Sequence, residues 1–402
     1  MVSPLYPDFR NLATDWETMP VRTFLRIEKE EVGQRWADTQ LLSLTKRGVI
    51  ARDIDSGVGK YPASFEGYQY VEPGDLVFCL FDVEETPRTI GLVKNRGMIT
   101  SAYTRARLDL SKIDPRYAEY LFVSLDDEKR FRPFYNGLRN TIQKETFRST
   151  RLSIPLLEEQ RQIAGFLDRE TAKIDALIAK QEQLITTLDE RRNRLLRILV
   201  TRGKRKDVEL KSASSAWLVG ELIPSHWMEL PISRLLDLRS GTGITSESID
   251  DDGEYPVFGG GGVRGFTDTF TNEGDFVLIG RQGGAGLITR VSGRFFASEH
   301  AIVCYPLVTL DLDWSAAVLE VMDLGQYSQS SAQPGISVDR IRRVRLPAPP
   351  LAEQREIGQI IREEGASMRF LSSKAAKSIE LLSERRQALI SSAVTGKMEV
   401  SV

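Results

Sequence analysis

Two stretches decide how this chain is read: "IPLLEEQRQIAGFLDRE" at residues 154–170 and "APPLAEQREIGQIIREE" at residues 348–364. Laid over one another at a constant offset of 194 residues, they extend without a gap over about fifty positions. Ile142 meets Ile336, Arg151 meets Arg345, Leu152 meets Leu346, Pro155 meets Pro349 and Leu157 meets Leu351. Glu159, Gln160 and Arg161 meet Glu353, Gln354 and Arg355, and Ile163 meets Ile357. Further on, Glu190-Arg191-Arg192 meets Glu384-Arg385-Arg386, Leu195 meets Leu389, and Val200-Thr201 meets Val394-Thr395. Self-similarity at a fixed period marks an internal duplication. Upstream it thins but persists: "DWETMPVRTFL" at 15–25 faces "HWMELPISRLL" at 226–236, and "PGDLVF" at 73–78 faces "EGDFVL" at 273–278.

Each repeated stretch predicts a long helix. Pro155 and Pro349 precede the start, and after Gly165 no Pro or Gly interrupts the first copy until Gly203, so about 43 residues can run as one helix of roughly 65 Å. Alternate steps of four and three give Ile163, Leu167, Glu170, Ile174, Leu177, Gln181, Leu184, Leu188, Arg191, Leu195 and Ile198, eight apolar of eleven. The shifted frame gives Ile357, Ile361, Glu364, Met368, Leu371, Ala375, Ser378, Leu382, Arg385, Leu389 and Ser392, seven apolar of eleven. Heptad spacing of this kind predicts two helices that pair as a coiled coil, with the recurrent polar breaks Glu170/Glu364 and Arg191/Arg385 as register markers.

The expected organisation is an N-terminal segment 1–19, a first domain 20–150, a long helix 151–201, a linker 202–216, a second domain 217–344, a second long helix 345–396 and a tail 397–402. Both domains show apolar runs of four to six residues cut by glycine turns, such as "GDFVLIGRQGGAGLITRVSGRFFASEHAIVCYP", which predicts mixed, largely β folds. The whole is α+β with an internal pseudo-two-fold repeat.

Length and composition fit a globular chain of more than one domain, with 402 residues, 41% apolar and 27% charged. There is no membrane-length apolar run and no secretory start, so a cytoplasmic location is expected. Cys79 and Cys304 each end an apolar run and read as buried strand thiols. His226 and His300 are the only histidines, too few for a zinc cluster, and no metal site is expected. The net charge of −2 is unevenly spread: residues 1–87 hold 9 Lys/Arg against 15 Asp/Glu, whereas residues 88–151 hold 14 against 7. A basic face is expected in the second of these stretches.

"SGVGKY" at 56–61 lacks phosphate-loop spacing, and "IDDDGEYP" at 249–256 lacks the alternating carboxylates of a calcium loop, so both read as turns. "FGGGGVRGF" at 258–266 and "GRQGGAG" at 280–286 read either as tight strand turns or as backbone close to a phosphate, with Arg264, Arg281 and Arg294 reaching bases or phosphates. With Lys46, Arg47, Lys94, Arg96, Tyr103 and Arg139 from the first domain, these make up the candidate DNA-contacting set. No catalytic set is found.

At "LPAPPLAEQREIGQIIREE", "SAQPGISVDRI" and "GELIPSHWMELPISRL" the chain resembles the specificity subunit of type I DNA restriction-modification enzymes, over its whole length. The resemblance implies two target-recognition domains alternating with two antiparallel helices, each domain reading half of a split double-stranded DNA site. It also implies a non-catalytic chain that binds two modification (methyltransferase) subunits and, in a full enzyme, restriction subunits. Cofactors are then expected in the partners rather than here: S-adenosylmethionine, ATP and magnesium. The first domain departs from the pattern, with "FDVEETPRTIG" where the second has "RQGGAG". Two rivals stand beside this reading, a self-contained adenine methyltransferase and a coiled-coil adaptor that reads no DNA. Against the first, the only adjacent prolines are Pro349-Pro350, followed by Leu351 rather than by an aromatic residue.

Overall fold

The computed structural model describes residues 15–53, 64–86, 88–205, 207–328 and 335–400, with the backbone of Asp8–Phe9. The "SGVGKY" turn lies outside the described residues, as do residues 331–334 of "SAQPGISVDRI". The chain divides into two compact units, Met1–Gln181 with Lys377–Val402, and Glu182–Ala376.

Each unit is built on a four-stranded sheet with the same strand order. In the first unit the order is Leu25–Ile27, Thr104–Leu108, Leu76–Phe78, Ile90–Leu92; in the second it is Leu236–Ser240, Ala301–Pro306, Phe276–Gly280, Ile288–Val291. All neighbours are antiparallel. The third strand of each is buried on both faces, which is why "DLVF" and "FVLIG" read as unbroken apolar runs instead of alternating. Helix α1 (Pro115–Asp127) covers the first sheet with Tyr117, Leu121, Phe122 and Leu125, and α2 (Lys144–Ser149) adds Phe147. Cys79 and Cys304 are buried and free.

The stretches 151–154 and 345–348, expected as the first residues of the long helices, are instead short strands that lead into them, since Pro155 and Pro349 bar the helix from extending back. Arg151–Ile154 pairs antiparallel with Glu17–Pro20 before α3 (Leu157–Arg202). In the second unit, α4 (Leu312–Val321) packs Trp314 and Val318 on the sheet, α5 (Val338–Ile341) follows, and Arg345–Ala348 pairs with Met228–Pro231 before α6 (Leu351–Val394). At 46 and 44 residues, the two long helices extend about 69 and 66 Å at 1.5 Å per residue. No described helix is long and apolar enough to cross a membrane. The stretch 202–216, expected as a linker, contributes the strand Leu210–Ser212, which pairs with Leu222–Pro224.

The duplicated sentence is a clamp. Gln160 is buried; its Oε1 accepts from Asp114 N at 2.8 Å, and its Nε2 donates to the carbonyls of Lys112 and Pro155 at 3.0 and 2.9 Å. Gln354 repeats this, accepting from Asp311 N at 3.1 Å and donating to Pro349 O at 2.9 Å. Asp114 and Asp311 are the N-caps of α1 and α4, so one glutamine fixes the start of a domain helix to the start of a long one. The preceding glutamates take indole protons: Trp16 Nε1 donates to Glu159 at 3.1 Å and Trp227 Nε1 to Glu353 at 2.9 Å. Arg151 donates to Thr18 O, and Arg345 to Glu229 O.

Within the first unit the start of α3 packs against the end of α6, Ile163, Ala164 and Leu167 meeting Ile390, Ala393 and Val394. Within the second, Leu196, Leu199 and Val200 share a core with Ile357. Each local pairing is antiparallel. The heptad frame needs one correction. Leu167, Ile174 and Leu188 are buried as expected and Leu195 is half-buried, but Leu177 and Leu184 stand 47% and 41% exposed, while their neighbours Ile178 and Ile185 turn inward. On α6, Ile357 and Met368 are buried and Ile361, Leu382 and Leu389 half-buried, whereas Leu371 is exposed and Gly365, Ser372 and Ile379 take the inner positions. The register of Leu177, Leu184 and Leu371 therefore lies one residue later than expected along the middle of both helices. Adjacent apolar pairs such as Leu177-Ile178 fit either frame, and the partner surface decides. The polar markers flank the seam: Arg191 and Glu364 are both largely exposed and stand 3.9 Å apart, a weak pair.

Candidate nucleic-acid interface

In the second unit the two glycine-rich stretches lie on one another where Phe276–Gly280 ends and Ala301–Pro306 begins. A Cβ on Gly260 would stand 1.8 Å from the Gln282 carbonyl oxygen, and one on Gly284 would stand 2.3 Å from the Gly260 carbonyl oxygen. Only glycine permits this backbone crossing. It is fastened by Arg281 N donating to His300 O at 2.8 Å and Ile336 N to Arg281 O at 3.0 Å. Around it stand four polar side chains. Arg264, exposed, packs its stem on Gly259; Arg281 reaches Ser240 Oγ at 3.4 Å; Gln282 Oε1 and His300 Nδ1 are 3.1 Å apart. The glycines form a tight turn, and their crossing holds the arginines and the amide at one edge.

The matching sheet end of the first unit lies where Leu76–Phe78 ends and Thr104–Leu108 begins. Among the described residues no glycine crossing stands there. Phe81 stacks on Tyr103 with ring centroids 6.4 Å apart and 22° between planes. The Arg139 guanidinium lies 4.8 Å over Phe81, and its Nε donates to Asp82 Oδ1 at 2.9 Å while Nη2 bonds Oδ2. The hydrogen bond from Arg139 holds the Asp82 carboxyl below its usual range, and burial pushes the Tyr103 phenol up.

Tyr103, Arg139, Arg264 and Arg281 therefore fall at equivalent sheet ends, and the others do not. Lys94 and Arg96 are exposed in the turn after Ile90–Leu92, and Arg294 follows Ile288–Val291; because these strands run antiparallel to the third strand, both places lie at the opposite sheet end. Arg294 is paired with Glu273 at 3.2 Å and lies 5.0 Å over Phe270. Lys46 and Arg47 occupy the exposed turn of the hairpin Leu42–Thr45/Gly48–Ala51. The expected basic face of residues 88–151 is also smaller than its composition suggests. Arg105, 1% exposed, bonds Asp75 at 2.7 Å and Glu30 at 3.1 Å; Arg107 pairs with Glu72 and Glu28, Arg132 with Glu84, and Arg139 with Asp82. The acidic first stretch folds onto the basic second one and neutralises much of it.

Phe81, Asp82, Gln282 and His300 were absent from the candidate set. A signal for the first three was available: continuing "PGDLVF" over "EGDFVL" puts Phe81-Asp82 on Arg281-Gln282.

A family model described as the type I restriction modification DNA specificity domain matches residues 88–187 and 224–374. The chain is 35% identical over 135 residues to the type I restriction enzyme EcoprrI specificity subunit of Escherichia coli, covering 32% of this chain and 34% of that one. It is 23% identical over 319 residues to the type I restriction enzyme MjaVIII specificity subunit of Methanocaldococcus jannaschii, 70% of each chain. The alignments to the first curated relatives thus span about a third of their length. Among solved structures, a chain from work on complex assembly and conformational transition of the type I R-M system superposes with a TM-score of 0.69 at 13% identity, covering 95% of this chain and 98% of that one.

Proposed function

The chain belongs to the family of type I restriction-modification DNA specificity domains, and from that premise we propose that it is a DNA-reading, non-catalytic subunit whose two units each read one half of a bipartite site. One observation carries this reading: the clamp recurs in both units, Gln160 with Asp114 and Gln354 with Asp311, whereas the sheet ends held by these matching frames differ, with Arg281, Gln282 and His300 in one and Phe81, Asp82, Tyr103 and Arg139 in the other. A duplicated frame bearing two unlike edges suits two unlike half-sites. The edges supply arginine forks and an amide, groups matched to purine edges in the major groove. Lys46, Arg47, Lys94 and Arg96 lie apart from them and suit phosphate contact, which positions without specifying.

In this reading α3 and α6 fix the distance between half-sites and offer docking surface to two modification subunits, with restriction subunits joining a full enzyme. Binding of S-adenosylmethionine, ATP and magnesium is assigned to those partners.

The test is a domain exchange. With residues 217–344 replaced by the same region of a relative, and the complex expressed in a host lacking other methyltransferases, one half of the methylated motif should change and the other persist. Alteration of both halves would overturn independent reading. Binding to duplex should also fall by orders of magnitude between about 50 and 200 mM salt, and insensitivity to salt would argue against phosphate contact.

A further inference from the structure

Among the described residues four that are not glycine have positive φ, and two of them face each other across one loop pair: Asp82 at 49° and Asn140 at 43°. Such backbone is unfavourable for residues with a Cβ and persists only when its surroundings enforce it. Here they do. Asp82 N donates to Arg139 O at 2.6 Å, Ile142 N to Leu80 O at 2.8 Å, and Asn140 Nδ2 to Glu85 Oε1 at 2.9 Å. What this strain secures is a single exposed side chain. Arg139 is 65% exposed, yet its Nε and Nη2 are held by Asp82 and its plane by the Phe81 ring, itself stacked on Tyr103. An exposed ion pair contributes little stability, so the strain is not offset by the pair. Leu138, next to it, is fully exposed at the loop tip.

We infer that Arg139 is a preorganised base-reading side chain that recognises a guanine in the half-site of the first unit, with Asp82 and Phe81 as its positioning residues. This rests on the DNA-reading function proposed above. With Nε and one Nη2 proton on Asp82, the outer edge of the guanidinium, Nη1 and the second Nη2 proton, is left to fit the guanine O6 and N7 acceptors, and a group already fixed in orientation loses less freedom on binding. The surroundings favour a base over a phosphate: Asp82, Glu84 and Glu85 cluster about the loop, with Arg132 on Glu84 and Asn140 on Glu85. A phosphate would be repelled there, whereas an uncharged base edge is not. Among the described residues the second unit shows no such device: Arg281 at the equivalent place bonds the Ser240 hydroxyl, at 3.4 Å.

The test selects duplexes from a random pool with the full chain, purified with the subunits it binds, and reads the enriched motif. Arg139→Ala and Arg139→Lys should each reduce the preference for one G·C pair, in one half of the motif, by roughly ten- to a hundred-fold. Asp82→Asn should weaken the same position less, and the other half should stay as it is. Arg281→Ala should act in the other half only. A motif unchanged by both Arg139 variants overturns the inference. So does a uniform loss of affinity at every position with a shallower salt dependence, which is the signature of a phosphate contact. Failure of the unsubstituted complex to enrich any motif would instead overturn the DNA-reading function itself.

Discussion

The second residue after the N-cap of each domain helix faces the same position on each long helix, and the charges are reversed between the units. In the first, Arg116 on α1 donates to Asp168 on α3 at 2.9 Å, and Tyr120 donates to the same carboxylate at 2.9 Å. In the second, Asp313 on α4 is buried and takes Arg362 of α6 together with Arg290. Asp168 and Arg362 are 194 residues apart, the offset of the repeat. The duplication preserved the existence of a domain-to-helix ion pair and exchanged its ends. Both kinds of contact join a long helix to its domain, yet the clamp keeps identity on both sides, Gln160 with Asp114 as Gln354 with Asp311, whereas the ion pair keeps only complementarity.

The comparison can be broken most severely at the glycine crossing, which has no counterpart among the described residues of the first unit. Gly260→Ala forces a Cβ into the Gln282 carbonyl and should destabilise the second unit by roughly 3 kcal/mol or more, at or above the top of the usual range for overpacking. Asp82→Asn, at the matching sheet end, should stay within about 0.5 kcal/mol. Denaturant unfolding followed by limited proteolysis of each unit would distinguish them, and equal losses would mean that the two ends are built alike.

Next in size is the clamp. Gln160→Ala and Gln354→Ala each strand a part-buried backbone N–H and a buried carbonyl, at a cost of about 2 kcal/mol apiece. The losses should agree with each other, and a gap above about 1 kcal/mol would show that the two copies no longer serve the same purpose.

The reversed pairs come third. Asp168→Arg sets two half-exposed cations together and should cost about 1 kcal/mol or less after solvent screening. Arg362→Asp places a carboxylate against buried Asp313 and should cost about 2 kcal/mol, moderated by Arg290. Combining Asp168→Arg with Arg116→Asp should recover the first loss, and a double variant no better than the single would refute pairing.

Acid gives the smallest contrast. Burial alone would raise the Glu353 carboxyl, but hydrogen bonds from Trp227 and His226 outweigh it and hold its pKa below the ordinary 4.5. A depressed carboxyl contributes stability that is present above the unfolded pKa and is lost as pH falls through the folded one. The second unit should therefore weaken below about pH 4.5, and Glu353→Gln should flatten that decline in a pH-dependent melting series.

Much of this architecture was legible because duplication doubles every signal. Both long helices and their starting prolines follow from one overlay, and the two third strands from the thinner similarity upstream; the strands Arg151–Ile154 and Arg345–Ala348, expected as the first residues of the long helices, do not, because a four-residue stretch ending at a proline is too short to show the period of either element. The seam was readable to within one residue; Leu177-Ile178 and Leu184-Ile185 offer two apolar side chains each, and only the packed partner selects between them. The sheet ends were harder to read. Arg281 and Arg139 carry charge and could be nominated, but Asp82 matters through a left-handed backbone and a fork it holds from 57 positions away, which no local pattern announces. Net charge along the sequence misled for a related reason, since Arg105 and Arg107 find their acids about thirty to eighty residues upstream.

The reversed ion pair also bears on ancestry. A lineage that acquires a new reading specificity by importing a whole domain can vary the sheet end without restraint, yet the newcomer must carry an acid to meet Arg362 or a base to meet Asp168. The pair thus works as an address written into each socket: moved into the second half, this chain's own first domain would set Arg116 against Arg362.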